Sequence, residues 1–139
     1  MPAYLLTELS VMMAKEPGRK ILVVDDNDDI REMLAMLLGM QGYRVVVGRD
    51  GEEAVRIAAT ERPDVILMDV MMPRVNGVEA AHRIRQQPGL SEVPIIGLSA
   101  FTDPPASTAD FTPITWTAYL RKPIDMDELE RLLQFTLSQ

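Results

Sequence analysis

The sequence contains no cysteine, which excludes disulfides, thiolate nucleophiles and cysteine-bound metals, and which fits a cytoplasmic protein. It has one histidine, His82, so a histidine-rich metal site is excluded as well. His82 falls in a helical stretch with no ligand-like residues spaced around it and reads as a surface or boundary residue. Positive charge is scarce: 14 lysines and arginines face 21 acidic residues, for a net charge of −7. Direct nucleic-acid binding, which wants a basic face, is therefore not expected. No apolar run approaches the ~20 residues needed to span a bilayer, so no membrane association is expected either. What is present is ordinary for a globular protein, with 47% hydrophobic residues in a 139-residue chain that suits one domain.

Residues 1–18 read as an extension, helical or disordered. Leu5, Leu6, Leu9, Met12 and Met13 fall at helical spacing, and Glu16, Pro17 and Gly18 stop the pattern. The first basic residue is Lys15, which is too late for a signal peptide. The functional domain is expected to run from Arg19 to Gln139.

From Lys20 onward, strand-like and helix-like stretches alternate. Ile21–Asp25 predicts a strand, and Asp28–Met40 a helix carrying Ile30, Met33, Leu34, Leu37 and Leu38, with Gly42 as its stop signal. Arg44–Gly48 is a shorter, more polar strand, suited to a sheet edge. Asp50 is placed to cap a second helix, with Glu53 as its capping-box partner. Asp64–Asp69 is the third strand. Asn76 can cap a third helix that reaches Gln87 before Pro88 and Gly89. Val93–Ser99 and Trp116–Leu120 are the fourth and fifth strands, and Asp125–Leu137 is the last helix. Such alternation predicts parallel pairing with right-handed crossovers, an α/β three-layer sandwich. Met33, Met36 and Met40 are expected in the core or on its margin.

Charged residues close the apolar runs. Asp25 and Asp26 follow Ile21–Val24, Asp69 follows Val65–Met68, and Lys122 and Pro123 follow Ala118–Leu120. In parallel sheets the ligand crevice lies at the carboxyl ends of the strands, so three carboxylates and a lysine are expected in one cleft. Two carboxylates ~4 Å apart repel by roughly 4 kcal/mol at an effective dielectric of 20. Either one of them is protonated or a hard cation neutralises the group. Mg²⁺, which keeps waters and accepts few carboxylates, suits the set better than Ca²⁺, and Mn²⁺ can substitute. The turn after the first strand, Asp25 to Asp29, is hostile to a bare phosphate, which argues against a flavin or nucleotide site there.

In this order and near this spacing, Asp25, Asp26, Asp69, Met72 and Pro73, Gly77, Ser99 and Ala100, Tyr119, and Lys122 and Pro123 resemble the receiver domains of two-component response regulators. The resemblance covers Arg19 to Gln139. It implies a flavodoxin-like sandwich with a five-stranded parallel sheet in the order 2-1-3-4-5. It also implies that Asp69 is the phosphoacceptor, with Asp25, Asp26, Asp69 itself and the backbone carbonyl of Met71 holding the metal. Lys122 and Ser99 would contact the phosphoryl oxygens, Ser99 and Tyr119 would form a switch, and the bond before Pro123 would be cis. The implied partners are a histidine kinase or histidine phosphotransfer protein upstream and a protein target downstream, with a homodimer left open. Such a protein modifies itself and is not a turnover enzyme. The expected whole is a single-domain regulator, with a receiver cut from a longer chain as the alternative. A phosphate-independent interaction module is the rival function, and a small metal-dependent phosphatase is a second.

One stretch departs from the family pattern. Between Ser99 and Tyr119 a fourth helix is due, but Pro104, Pro105 and Pro113 leave room for roughly two turns at most. The Gly-Ala pair common before the fifth strand is also missing. That helix is expected to be short, irregular or disordered, with Asp103–Thr115 ordering on a partner or a second copy. Hydrogen exchange should find low protection across Asp103–Thr115; a stably protected three-turn helix there would refute the expectation.

Overall fold

The computed structural model describes residues 18–72, 75–100 and 116–138. Its elements are β1 (Lys20–Val24), α1 (Asp28–Met40), β2 (Arg44–Gly48), α2 (Gly51–Glu61), β3 (Val65–Asp69), α3 (Gly77–Arg85), β4 (Ile95–Ser99), β5 (Ala118–Arg121) and α4 (Met126–Leu137). All strand pairs are parallel, and the sheet order is β2-β1-β3-β4-β5, the order expected, with β2 at an edge. The expected extension, Gly18 excepted, and the irregular segment Asp103–Thr115 lie outside the described residues. Among the described residues no helix is long and apolar enough to cross a membrane.

The strands lack polar alternation because both faces of the sheet are covered. Leu22, Val24, Ile66, Met68 and Ile95 pack against Ala54 and Ala58 of α2 and Val78, Ala81 and Ile84 of α3. Their neighbours Ile21, Val23, Leu67, Ile96 and Leu98 point the other way, onto Leu34 and Leu38 of α1 and Leu129 and Leu133 of α4. β3 and β4 are buried along their whole length. This fixes their register, because a one-residue slip would exchange the two cores.

Side-chain caps start the helices close after the strands. Asn27 accepts the Ile30 N–H at 3.0 Å and Asn76 accepts that of Glu79 at 2.9 Å. Asp125 lies before α4 and takes the N–H groups of Asp127 and Glu128. At α2 the expected capping box is displaced by one residue. Asp50 caps the Glu53 N–H at 2.9 Å, but the Glu53 carboxylate returns to the N–H of Arg49 and also pairs its guanidinium. β5 begins later than expected, at Ala118, because the Thr117 hydroxyl occupies the Ile95 N–H in place of a backbone partner.

The methionines of α1 overturn one expectation. Met33, Met36 and Met40 are 42%, 60% and 78% exposed, outside the core. The face turned inward is Arg31, Leu34 and Leu38, spaced i, i+3 and i+7, and the methionines lie off that stripe. Leu34→Ala should therefore cost about 2–5 kcal/mol in urea unfolding, whereas Met36→Ala should stay within about 0.5 kcal/mol of the parent.

Candidate functional site

The register of the sheet brings the acidic residues together. Val24 pairs with Met68, so Asp25 and Asp69 are the next residues on adjacent strands. Asp69 pairs with Leu98, and Ser99 pairs with Arg121, which puts Lys122 one step beyond the end of the sheet. Asp25, Asp26 and Asp69 each offer a carboxylate oxygen within 4.8 Å of the others. The Lys122 ammonium lies 2.9 Å from Asp25 Oδ2 and 3.3 Å from Asp69 Oδ2, joining β5 to β1 and β3.

Each carboxylate is held differently. Asp25 is fully buried. Its Oδ1 accepts the Asn27 N–H at 2.9 Å, its Oδ2 accepts Lys122, and its own N–H donates to the Gly48 carbonyl at 3.3 Å. Asp69 is nearly buried, and its Oδ1 accepts the Met71 N–H at 3.1 Å. Asp26 is exposed at the mouth. The loop after Asp69 folds back closely. Gly77 donates its N–H to the Val70 carbonyl at 2.9 Å, and a Cβ on Gly77 would stand 2.3 Å from the Asp69 carbonyl oxygen. Glycine is required there by close approach rather than by backbone angle.

The remaining predicted residues join the cleft to different degrees. Ser99 is buried at the end of β4, and its carbonyl accepts the Lys122 N–H at 2.7 Å. Tyr119 sits within β5 opposite Gly97, its ring lying over that residue so that a Cβ there would be 3.0 Å from Cδ2. It packs on the α2–α3 side of the core, half-buried. Met71 is 56% exposed, while Met72 is buried and Pro73 lies outside the described residues. The Lys122–Pro123 peptide bond is cis. Arg31 is a buried residue that sequence reasoning passed over, and its guanidinium donates to the Asp25 carbonyl at 3.0 Å. Its signal was available: an arginine at an apolar position of the α1 stripe.

Burial foremost, and then the charge of Asp25, push the Asp69 carboxyl up to about 6, with Lys122 opposing the rise. Burial disfavours the Lys122 charge, but the hydrogen bond and charge of Asp25, followed by those of Asp69, outweigh it and leave its pKa above the usual lysine value. The cleft thus carries surplus negative charge and hard oxygen donors, and it is compatible with Mg²⁺.

This fold matches that of known receivers. Residues 21–134 match the family model described as response regulator receiver domain. The chain belongs to that family, the receiver domains of two-component response regulators. It is 38% identical over 122 residues to the probable transcriptional regulator ycf27 of Guillardia theta, covering 88% of this chain and 46% of that protein. It superposes on the chemotaxis protein CheY4 of Vibrio cholerae with a TM-score of 0.77 and 34% identity, over 86% of this chain and 98% of that one. The receiver domain of the sensor histidine kinase PA1611 of Pseudomonas aeruginosa matches with a TM-score of 0.76 and 37% identity, over 88% of this chain and 99% of that one. That structure has a magnesium ion coordinated in the active site cleft. The chain spans about half or less of the length of the curated relatives it matches.

The raised Asp69 pKa has a stability consequence. The unfolded carboxyl releases its proton near 3.8, whereas the folded metal-free one keeps it up to about 6. The folded state therefore binds more protons between these values, and stability falls as pH rises through them. Without metal, Asp69→Asn should be more stable than the parent by about 2–3 kcal/mol near pH 7, the gap closing towards pH 4. Guanidinium unfolding at both pH values checks the sign.

Proposed function

We propose that residues 19–139 form a Mg²⁺-dependent phosphoacceptor switch that takes a phosphoryl group on Asp69 from the phosphohistidine of a kinase or phosphotransfer protein. The observation that carries this reading is the pairing of one ammonium, Lys122, with both Asp25 and Asp69 at the mouth of which Asp26 stands exposed. In the transfer, an Asp69 carboxylate oxygen forms a bond to phosphorus while the phosphorus–nitrogen bond of the donor breaks. The imidazole leaves with the bonding electrons and takes up a proton. Hydrolysis reverses the charge state: water attacks phosphorus, the acyl phosphate bond breaks, and the Asp69 carboxylate and inorganic phosphate result.

Lys122 supplies positive charge to a phosphoryl oxygen as the group arrives, and the Ser99 hydroxyl donates to another. The metal would be held by Asp26 directly and by Asp25 partly through water, since both Asp25 carboxylate oxygens already accept hydrogen bonds. Asp69 and the Met71 carbonyl complete the set. When bound, Mg²⁺ neutralises the carboxylates and withdraws charge from the transferring group. Ser99 and Tyr119 then report the state of the site: drawing Ser99 towards the phosphoryl group makes room for the Tyr119 ring to move inward, a two-state change. The readout is binding of a downstream protein. The chain acts on itself, in the cytoplasm, and is regulatory rather than a turnover enzyme.

Incubation with acetyl phosphate and Mg²⁺ should add one phosphoryl mass to the intact protein. Asp69→Ala and omission of the metal should each abolish the adduct. An absent adduct in the parent, with metal binding verified separately, would favour a phosphate-independent interaction module.

A further inference from the structure

Arg31 occupies a position that the pattern of α1 assigns to an apolar residue, on the stripe it shares with Leu34 and Leu38. It is 7% exposed. Arginine is almost never buried unless paired, because its desolvation must be offset by hydrogen bonds to charged or otherwise unmet groups. Its Nη1 donates to the carbonyl of Asp25 at 3.0 Å, and its Nη2 donates to the carboxylate of Asp28. The first partner lies in a fully buried residue, whereas the second side chain is 74% exposed. The fork therefore spans the acidic turn from its buried start to its solvent side.

The Asp25 carbonyl belongs to the rigid peptide unit that joins Asp25 to Asp26. Holding that oxygen fixes the plane from which the Asp26 side chain departs. The other Asp25 groups are tied elsewhere: N–H to Gly48, Oδ1 to the Asn27 N–H, Oδ2 to Lys122. A leucine in place of Arg31 would extend the apolar stripe but would leave this buried carbonyl unpartnered and the turn free to relax under the mutual repulsion of its carboxylates. We infer that Arg31 is a positioning residue of the metal site: through the Asp25 carbonyl it holds Asp25 and Asp26 at the spacing from Asp69 that a divalent cation needs. The inference rests on the reading of the cluster as a Mg²⁺ site.

Charge and positioning predict opposite signs. Removing a cation beside three carboxylates should, by Coulomb's law alone, tighten cation binding. Removing a support of the ligands should weaken it, by about tenfold or more when an outer-shell partner of a metal ligand is lost. The experiment is Mn²⁺ binding to the full chain, followed by the free-ion paramagnetic resonance signal, with Mg²⁺ as competitor. Arg31→Met is expected to raise the Mn²⁺ dissociation constant about tenfold, and Arg31→Lys, which lacks the planar fork that spans the Asp25 carbonyl and the Asp28 carboxylate, to recover part of the loss. With acetyl phosphate, the half-saturating Mg²⁺ concentration of Arg31→Met should rise in step, while the labelling rate at saturation stays within about twofold of the parent.

Unchanged or tighter Mn²⁺ binding by Arg31→Met would overturn the inference, as would a lower unfolding midpoint with unaltered affinity, the mark of a purely structural role. If Arg31→Met does not fold, Asp28→Ala and Asp28→Asn take its place. Both lose the same charge, but only Asn keeps an acceptor for Nη2. Weaker Mn²⁺ binding by the alanine variant supports the inference, and equal binding overturns it. A parent protein that binds neither Mn²⁺ nor Mg²⁺ would instead sink the metal-site reading, a failure recognised before any variant is compared.

Discussion

Asp25 and Asp69 end adjacent strands in register and share one ammonium, and the surplus charge they leave governs the rest of the cleft. Backbone pairing brings the carboxylates together: hydrogen bonds along β1 and β3 and two apolar cores set the register, and the acids at the strand ends have no freedom to separate. Two such charges ~4 Å apart cost roughly 4 kcal/mol at an effective dielectric of 20, comparable with a sizeable part of the stability of a small domain. The sheet therefore imposes an unfavourable electrostatic arrangement that Lys122 relieves only in part. Burial raises the Asp69 pKa first, and the repulsion of Asp25 that Lys122 leaves uncompensated adds to the rise.

That residue of repulsion connects stability to chemistry. A site optimised for the folded metal-free chain would carry an uncharged group in place of Asp69. Three carboxylate oxygens within 4.8 Å of one another could hold a cation, and on the proposed reading the cation and then the phosphoryl group complete the charge balance. On the same reading, the change in this charge balance is what lets a small covalent change be felt elsewhere.

The fold was legible in the sequence because each buried strand is a short aliphatic run ended by a turn signal, and each helix follows a side-chain cap. Asp25, Asp26, Asp69 and Lys122 were legible for a related reason: parallel topology sends the carboxyl ends of all strands to one crevice, so strand-end charges must meet. What escaped was detail that depends on azimuth or on exact partners. The α1 methionines were misplaced because their spacing fits a helix, and hydrophobicity alone does not say which of two adjacent stripes faces inward. Arg31 escaped for the complementary reason, since a cation on the inner stripe looks like a break in the pattern until its carbonyl partner is known. The displaced capping box at Arg49 turned on a choice between adjacent N–H groups that residue types do not decide.

The two α1 misreadings have one physical origin. The inward stripe runs Arg31, Leu34, Leu38, so the helix is rotated to aim its first inward residue at the Asp25 carbonyl. A rotation that buried Met33 would remove the guanidinium from that oxygen and leave a buried carbonyl unmet, at a cost of about 1–3 kcal/mol on top of moving the charge. The same rotation leaves Met33, Met36 and Met40 in solvent, where each loses only the modest gain of partial burial. Burial of Leu34 and Leu38 and the polar requirement of the Asp25 carbonyl thus favour the same azimuth, and the exposed methionines are the consequence.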